Sequence, residues 1–84
     1  MSTMTPGLID QALWQQAVLA IAEYRIWEGR IHGRKIKLGR MLQATDDAHS
    51  IFYTVELRRA TVSDTAPTVT MALAECARLI EDQR

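Results

Sequence analysis

The sequence has a single cysteine, Cys76, in 84 residues. No intramolecular disulfide can form, and a thiolate zinc site, which needs several ligands at fixed spacing, is excluded with it. Aromatic residues make up 6% of the chain, too few to lay out a base-stacking platform. The longest apolar run, Ala17 to Ala22, is far short of the roughly 20 residues a membrane helix requires. Met1 to Gly7 contains no basic residue and no long apolar run follows it, so no secretory signal is expected. Also missing are a Gly-rich phosphate loop, a nucleophile elbow and a His-Glu zinc helix. There is no repeat, low-complexity tract or internal linker. Formal net charge is zero.

These absences bound the molecule. Residues 1–84 form one small domain, with 1–6 expected as a flexible N-terminus. A domain this short buries a small share of its surface, and without disulfides it needs tight packing or oligomerisation. A hydrophobic content of 48% is enough for a folded chain. A lone cysteine suits a reducing compartment, and the protein reads as cytoplasmic. Arginine outnumbers lysine eight to two and alanine is abundant, a usage common in GC-rich bacteria and their phages.

What the chain does have is local charge. Between Arg25 and Arg40 lie six cationic side chains against the one carboxylate of Glu28, and three Gly-Arg pairs (29–30, 33–34, 39–40) fall within that stretch. Concentrated charge steers anionic partners even in a neutral protein. Arg30, Arg34, Lys35, Lys37 and Arg40 can meet phosphates or an acidic protein surface; in the plainer reading Lys35, Lys37 and Arg58 form the solvated face of a strand pair.

Periodicity predicts a helix over residues 8–28, with Thr5-Pro6 at its start, Asp10 near the positive end of its dipole and Gly29 as its stop. Leu13, Ala17, Ala20, Tyr24 and Trp27, with Trp14, Val18 and Ile21, form one broad apolar face. Leu19 and Ile26 add a second stripe on the side that should meet water. A helix so apolar is expected to be covered on both sides. Trp27, at the helix end beside the basic run, is a candidate interface anchor.

Residues 34–42 and 51–59 both alternate, which predicts an antiparallel hairpin around Asp46 and Asp47. The expected register sets Ile36 against Leu57, Lys37 against Glu56, Leu38 against Val55, Met41 against Phe52 and Leu42 against Ile51. Arg40 then falls on the apolar face opposite Tyr53 and must reach an edge or stack on a ring. Residues 61–66 read as a loop. A last helix opens at Pro67, capped by Asp64 or Thr65, and runs to about Asp82 on a stripe of Val69, Ala72, Leu73, Cys76, Leu79 and Ile80. The fold class is α+β, in the order helix-strand-strand-helix, with an antiparallel hairpin packed on two helices and a sheet that a second copy can extend.

No catalytic, cofactor or metal residue is expected. His32 and His49 are far apart in sequence, and His49 beside Asp46 and Asp47 reads as a turn. Cys76 lies on an apolar stripe without a base or an orienting group. Glu75, Glu81 and Asp82 read as the solvated side of the last helix. The sequence therefore points to a small non-catalytic protein-interaction module. It would act as an accessory or regulatory subunit in a bacterium or phage, as a homodimer or with another protein, and away from membranes. Its expected contact residues are Leu19, Ile26, Trp27, Arg30, Arg34, Lys35, Lys37 and Arg40. The alternative is a nucleic-acid-binding regulator that uses the basic stretch 30–40.

Overall fold

A computed structural model describes residues 11–41 and 50–82. The expectations for residues 1–10, for Leu42 and for the turn at 43–49 lie outside the described residues. The protein is α+β: the described residues form two helices and a four-stranded antiparallel sheet. Among the described residues no helix is long and apolar enough to cross a membrane.

Helix α1 (Gln11–Ala22) is Ala-rich, yet it ends well before Gly29. Tyr24 takes a left-handed backbone, φ 59°. Its N–H donates to the Ile21 carbonyl at 3.0 Å, and the Arg25 N–H donates to the Ala20 carbonyl at 2.9 Å. This pair of bonds is a Schellman stop with tyrosine in the position glycine usually fills. Arg40 reinforces it. Its guanidinium lies 4.6 Å from the centroid of the Tyr24 ring, and its Nη2 donates to the Ile21 carbonyl at 3.3 Å. A cation stacked on a ring and facing the negative helix end is favoured on both counts. The expected helix over 8–28 is thus corrected at its C-terminal end. Tyr24 and Trp27 share the spacing of Leu13 and Ala17 without sharing their helix.

Trp27 instead opens strand β1 (Trp27–Ile31), and Gly29 sits in its middle. His32 and Gly33, at φ 51° and 78°, turn the chain between the paired residues Ile31 and Arg34. Two successive positive φ values match the right-handed twist of a hairpin, and the second suits glycine. Strand β2 (Arg34–Arg40) follows, then β3 (Ile51–Glu56), a tight turn through Arg58 and Arg59, and β4 (Thr61–Ala66). The sheet is a plain meander in the order β1-β2-β3-β4. The expected hairpin is therefore flanked by two more strands, and residues 61–66 are a strand rather than a loop.

The β2–β3 register is also corrected. Ile36 pairs with Val55, Lys37 with Thr54, Leu38 with Tyr53, Gly39 with Phe52 and Arg40 with Ile51. Each partner is displaced by two residues from the expected one. Strand faces repeat every two residues, so this slip keeps every apolar side chain on its expected face. Phe52 gains from it. Its ring lies against Gly39, where a Cβ would sit 2.4 Å from the ring carbons.

Helix α2 (Val69–Asp82) starts behind Thr68, whose Oγ1 accepts the Met71 N–H at 3.1 Å. Thr68 is thus the cap, in place of Asp64 or Thr65, and Pro67 precedes it. Ala72, Leu73, Cys76 and Ile80 are buried on the expected stripe, with Ala77 beside them. Both helices cover one face of the sheet. Ile36, Leu38, Val55, Leu73, Cys76 and Ile80 fill the space between, and a 2.8 Å bond from Trp14 Nε1 to Thr70 Oγ1 ties the helices together.

Candidate functional site

The helices leave the other face of the sheet in contact with water, and strand alternation decides which basic residues reach it. Arg34 and Arg40 share the helix-side face with Ile36 and Leu38, while Lys35 and Lys37 lie on the water side. Register puts Arg30 opposite Lys35 and Glu28 opposite Lys37, so these two also face water. The basic run, continuous in sequence, is divided between the two faces.

Its charge is partly answered as well. Lys35 Nζ and Lys37 Nζ lie 3.7 and 3.8 Å from the carboxylate of Glu28. Arg30 Nη1 donates to the Gly33 carbonyl at 3.0 Å. Arg25 donates from Nε and Nη2 to one oxygen of Glu23, at 2.9 and 2.6 Å. Arg40 is half-buried and committed to Tyr24 and the end of α1, and its Nε is buried with no partner among the described residues. Arg30, Lys35 and Lys37 remain as a modest cationic row around one carboxylate.

The apolar candidates behave differently. Leu19 and Ile26 are 56% and 59% exposed, and Tyr24 between them is 72% exposed. They belong to three local structures: the last turns of α1, its Schellman stop and the lead-in to β1. Periodicity had laid Leu19 and Ile26 along one stripe; the structure puts Leu19 on α1 before the helix stop and Ile26 after it. The Glu23–Arg25 ion pair belongs to the same turn. Sequence reasoning placed Tyr24 on the buried face; the missed signal is the stop itself, which carries no glycine.

Trp27 is corrected from interface anchor to core. It is 8% exposed, and its indole folds over Gly29, where an added Cβ would fall 2.4 Å from two ring carbons. Cys76 is fully buried, and burial pushes its thiol up to about 12, as low-dielectric surroundings oppose the thiolate. His32 lies exposed in the β1–β2 turn, so neither its position nor Cys76's makes a nucleophile and base. Among the described residues no group of three or more His, Cys, Asp or Glu side chains is placed to hold a metal ion. His49, Asp46 and Asp47 lie outside the described residues.

No protein-family model, curated protein or solved structure matches this chain.

Proposed function

We propose that the protein is a small non-catalytic interaction module, an accessory or regulatory subunit in a bacterium or its phage, that docks protein through the C-terminal end of α1. The observation that carries this reading is the joint exposure of Leu19, Tyr24 and Ile26 around one helix end. Single exposed apolar residues are ordinary, but three large ones within eight consecutive residues make a patch suited to a partner. The Arg40 guanidinium under the Tyr24 ring holds that ring in place before binding, which lowers the ordering cost of an interface. The occupant we favour is a second copy of the chain. Extension of the sheet through edge strand β4 is the less favoured route to a dimer, because there the Thr65 N–H is engaged by Asp64 Oδ1 at 2.8 Å.

Each large aliphatic that becomes buried contributes about 1.5–3 kcal/mol, against the entropy lost on association. Leu19→Glu with Ile26→Glu should therefore turn a dimer into a monomer in sedimentation velocity, with the circular dichroism of the folded chain unchanged. A wild-type chain that stays monomeric at high micromolar concentration removes the homodimer. Capture of a host protein that the double variant fails to capture would then identify a different occupant of the same patch.

The rival reading, a nucleic-acid-binding regulator, draws less support. All five residues of the run on phosphates would give a logarithmic salt slope of about −4 to −5, but three on one face give only about −3. No tight complex with generic duplex DNA is expected at about 150 mM salt. Submicromolar binding there, abolished by Lys35→Glu with Lys37→Glu, would reverse the ranking.

A further inference from the structure

Register decides which backbone groups the two edges of the sheet present. The Met41 N–H donates to the Ser50 carbonyl at 2.8 Å, one position beyond the paired residues Arg40 and Ile51. Along an antiparallel ladder hydrogen-bonded and non-bonded pairs alternate. Lys35, Lys37 and Gly39 therefore bond towards β3, while Ile36 and Leu38 bond their β1 partners Gly29 and Trp27. Glu28 and Arg30 are left with N–H and C=O pointing out of the sheet. On β4, likewise, the Leu57 N–H donates to the Ala60 carbonyl at 2.8 Å, which turns Thr61, Ser63 and Thr65 outward.

The two edges are finished differently. On β4 the outward Thr65 N–H is taken by Asp64 Oδ1. On β1 no hydrogen bond between described residues engages the outward backbone groups of Glu28 or Arg30. The strand carries no proline, and Gly29 at its centre projects no side chain. An open edge of this kind is a template for another strand. The side chains around it are ordered in a particular way. Glu28 and Arg30, of opposite sign, stand exposed on the water side. Trp27 and Ile31 stand at equal distances from Gly29 on the helix side.

We infer that β1 pairs antiparallel with β1 of a second copy about a two-fold axis at Gly29, joining the two sheets into one. This pairing rests on the second copy proposed above as occupant, and names the strand edge through which it binds. Charge complementarity selects the register. With the axis at Gly29, Glu28 faces the partner's Arg30 and Arg30 faces the partner's Glu28, each pair exchanging both backbone bonds. Trp27 then faces the partner's Ile31, an aromatic and β-branched pair of the kind that stabilises sheets. The neighbouring registers that also join outward groups set Glu28 against Glu28 or Arg30 against Arg30, and like charges directly opposite are destabilising. Gly29 meets Gly29 at a non-bonded position, where Cα atoms approach to about 4.5 Å and a missing side chain is an advantage. Arg30 spends one donor on the Gly33 carbonyl and keeps others for the seam. Glu28 is held by Lys35 and Lys37 only at 3.7 and 3.8 Å, exposed contacts that cost little to share. Ile26, 59% exposed and one residue before the strand, extends the contact towards the end of α1.

The test is a charge exchange read by sedimentation equilibrium on the whole protein. Glu28→Arg sets Arg against Arg across the seam and Arg30→Glu sets Glu against Glu, so each variant alone should dimerise about tenfold more weakly or worse. An equimolar mixture of the two should recover the wild-type affinity, because every Arg then meets a Glu of the other chain. Arg30→Pro removes an outward N–H that no bond within the chain uses, a position proline tolerates on an edge strand, and should also weaken the dimer with the circular dichroism unchanged. In a sample of labelled and unlabelled wild-type chains, an isotope-filtered NOE should connect Gly29 of one copy to Gly29 of the other. A wild-type dimer that is unaffected by Glu28→Arg and Arg30→Pro and shows no such NOE overturns the β1 seam while leaving self-association at the helix end standing. A mixture that dimerises no better than either variant alone overturns the register. A wild-type chain that stays monomeric at high micromolar concentration overturns the seam and the homodimer together.

Discussion

Native Cys76 should react with a thiol reagent at least a thousandfold more slowly than the same cysteine in the unfolded chain. The reactive species is the thiolate. A thiol moved from 9.0 to about 12 holds roughly a thousandfold less thiolate near neutral pH. Steric access lowers the rate further. Cys76 has no exposed surface, lying on α2 among Leu73, Ala77 and Ile80, so the reagent waits for an opening event. The measurement is absorbance on mixing with a chromogenic disulfide at about pH 8, with and without denaturant. Native and denatured rates within tenfold of each other would mean that α2 turns a different face to the sheet. The same displacement has a consequence for stability. The folded-state value lies above the unfolded one, so the contribution of the buried thiol is full below pH 9.0 and is lost as pH rises towards about 12. Alkaline conditions should therefore loosen the α2 contact in that window, while mild acid leaves it intact.

Cys76 also marks where the sequence was readable. Leu73, Cys76 and Ile80 recur at one helical period with few apolar residues elsewhere on the segment, so a single face was on offer and the chain uses it. Strands β2 and β3 were legible for the same reason at period two. The failures have particular causes. Tyr24 and Trp27 fall at helical spacing from Leu13 and Ala17 by coincidence, and a tyrosine in the left-handed region gives no warning of a stop. Its stabiliser, Arg40, is remote in sequence. Strand β4 contains Val62 and Ala66 as its apolar residues and otherwise reads Thr-Ser-Asp-Thr, as expected of an edge strand whose outer side stays wet. Its support is partly polar: Thr54 Oγ1 and Ser63 Oγ lie 3.1 Å apart across the β3–β4 pair.

The candidate surfaces divide along the same lines. Leu19 and Ile26 were placed in water for the wrong geometric reason, as two positions on one helix, yet both are exposed. The basic run misled because linear charge density ignores the pleat. Alternation sends Arg34 and Arg40 to one side and Lys35 and Lys37 to the other. The pairing of Tyr53 with Asp64 was beyond reach, because Asp64 was assigned to a loop. Only its pairing with Tyr53 across β3 and β4 brings the two groups together.

Gly29→Ala should destabilise the protein far more than Gly39→Ala, although an added Cβ meets an aromatic ring at 2.4 Å in both cases. In each strand glycine leaves room for a ring, a device that compensates the missing side chain. What differs is where the ring can go. Phe52 lies on the open face of the sheet, half-buried, and can swing towards solvent when Gly39 gains a methyl. Replacing a strand glycine also lowers the entropy of the unfolded chain, a gain of roughly 0.5–1 kcal/mol that offsets the lost stacking. Gly39→Ala is therefore expected near neutral. Trp27 has no such exit. It is 8% exposed beneath the helices, and moving its indole off Gly29 either drives it into the core or brings a large apolar surface into water. Overpacking of this kind costs about 1–3 kcal/mol. For a domain of this size each kcal/mol corresponds to a fall of about 4–8 °C in Tm, so Gly29→Ala should melt roughly 5–20 °C below wild type. Calorimetry on both variants decides it. A second substitution isolates the cause: Trp27→Leu costs stability in the wild-type background but should cost measurably less beside Ala at position 29, a coupling expected only of residues in contact. Equal losses from the two glycine variants, or simple additivity of Gly29→Ala with Trp27→Leu, would show that the indole does not rest on Gly29.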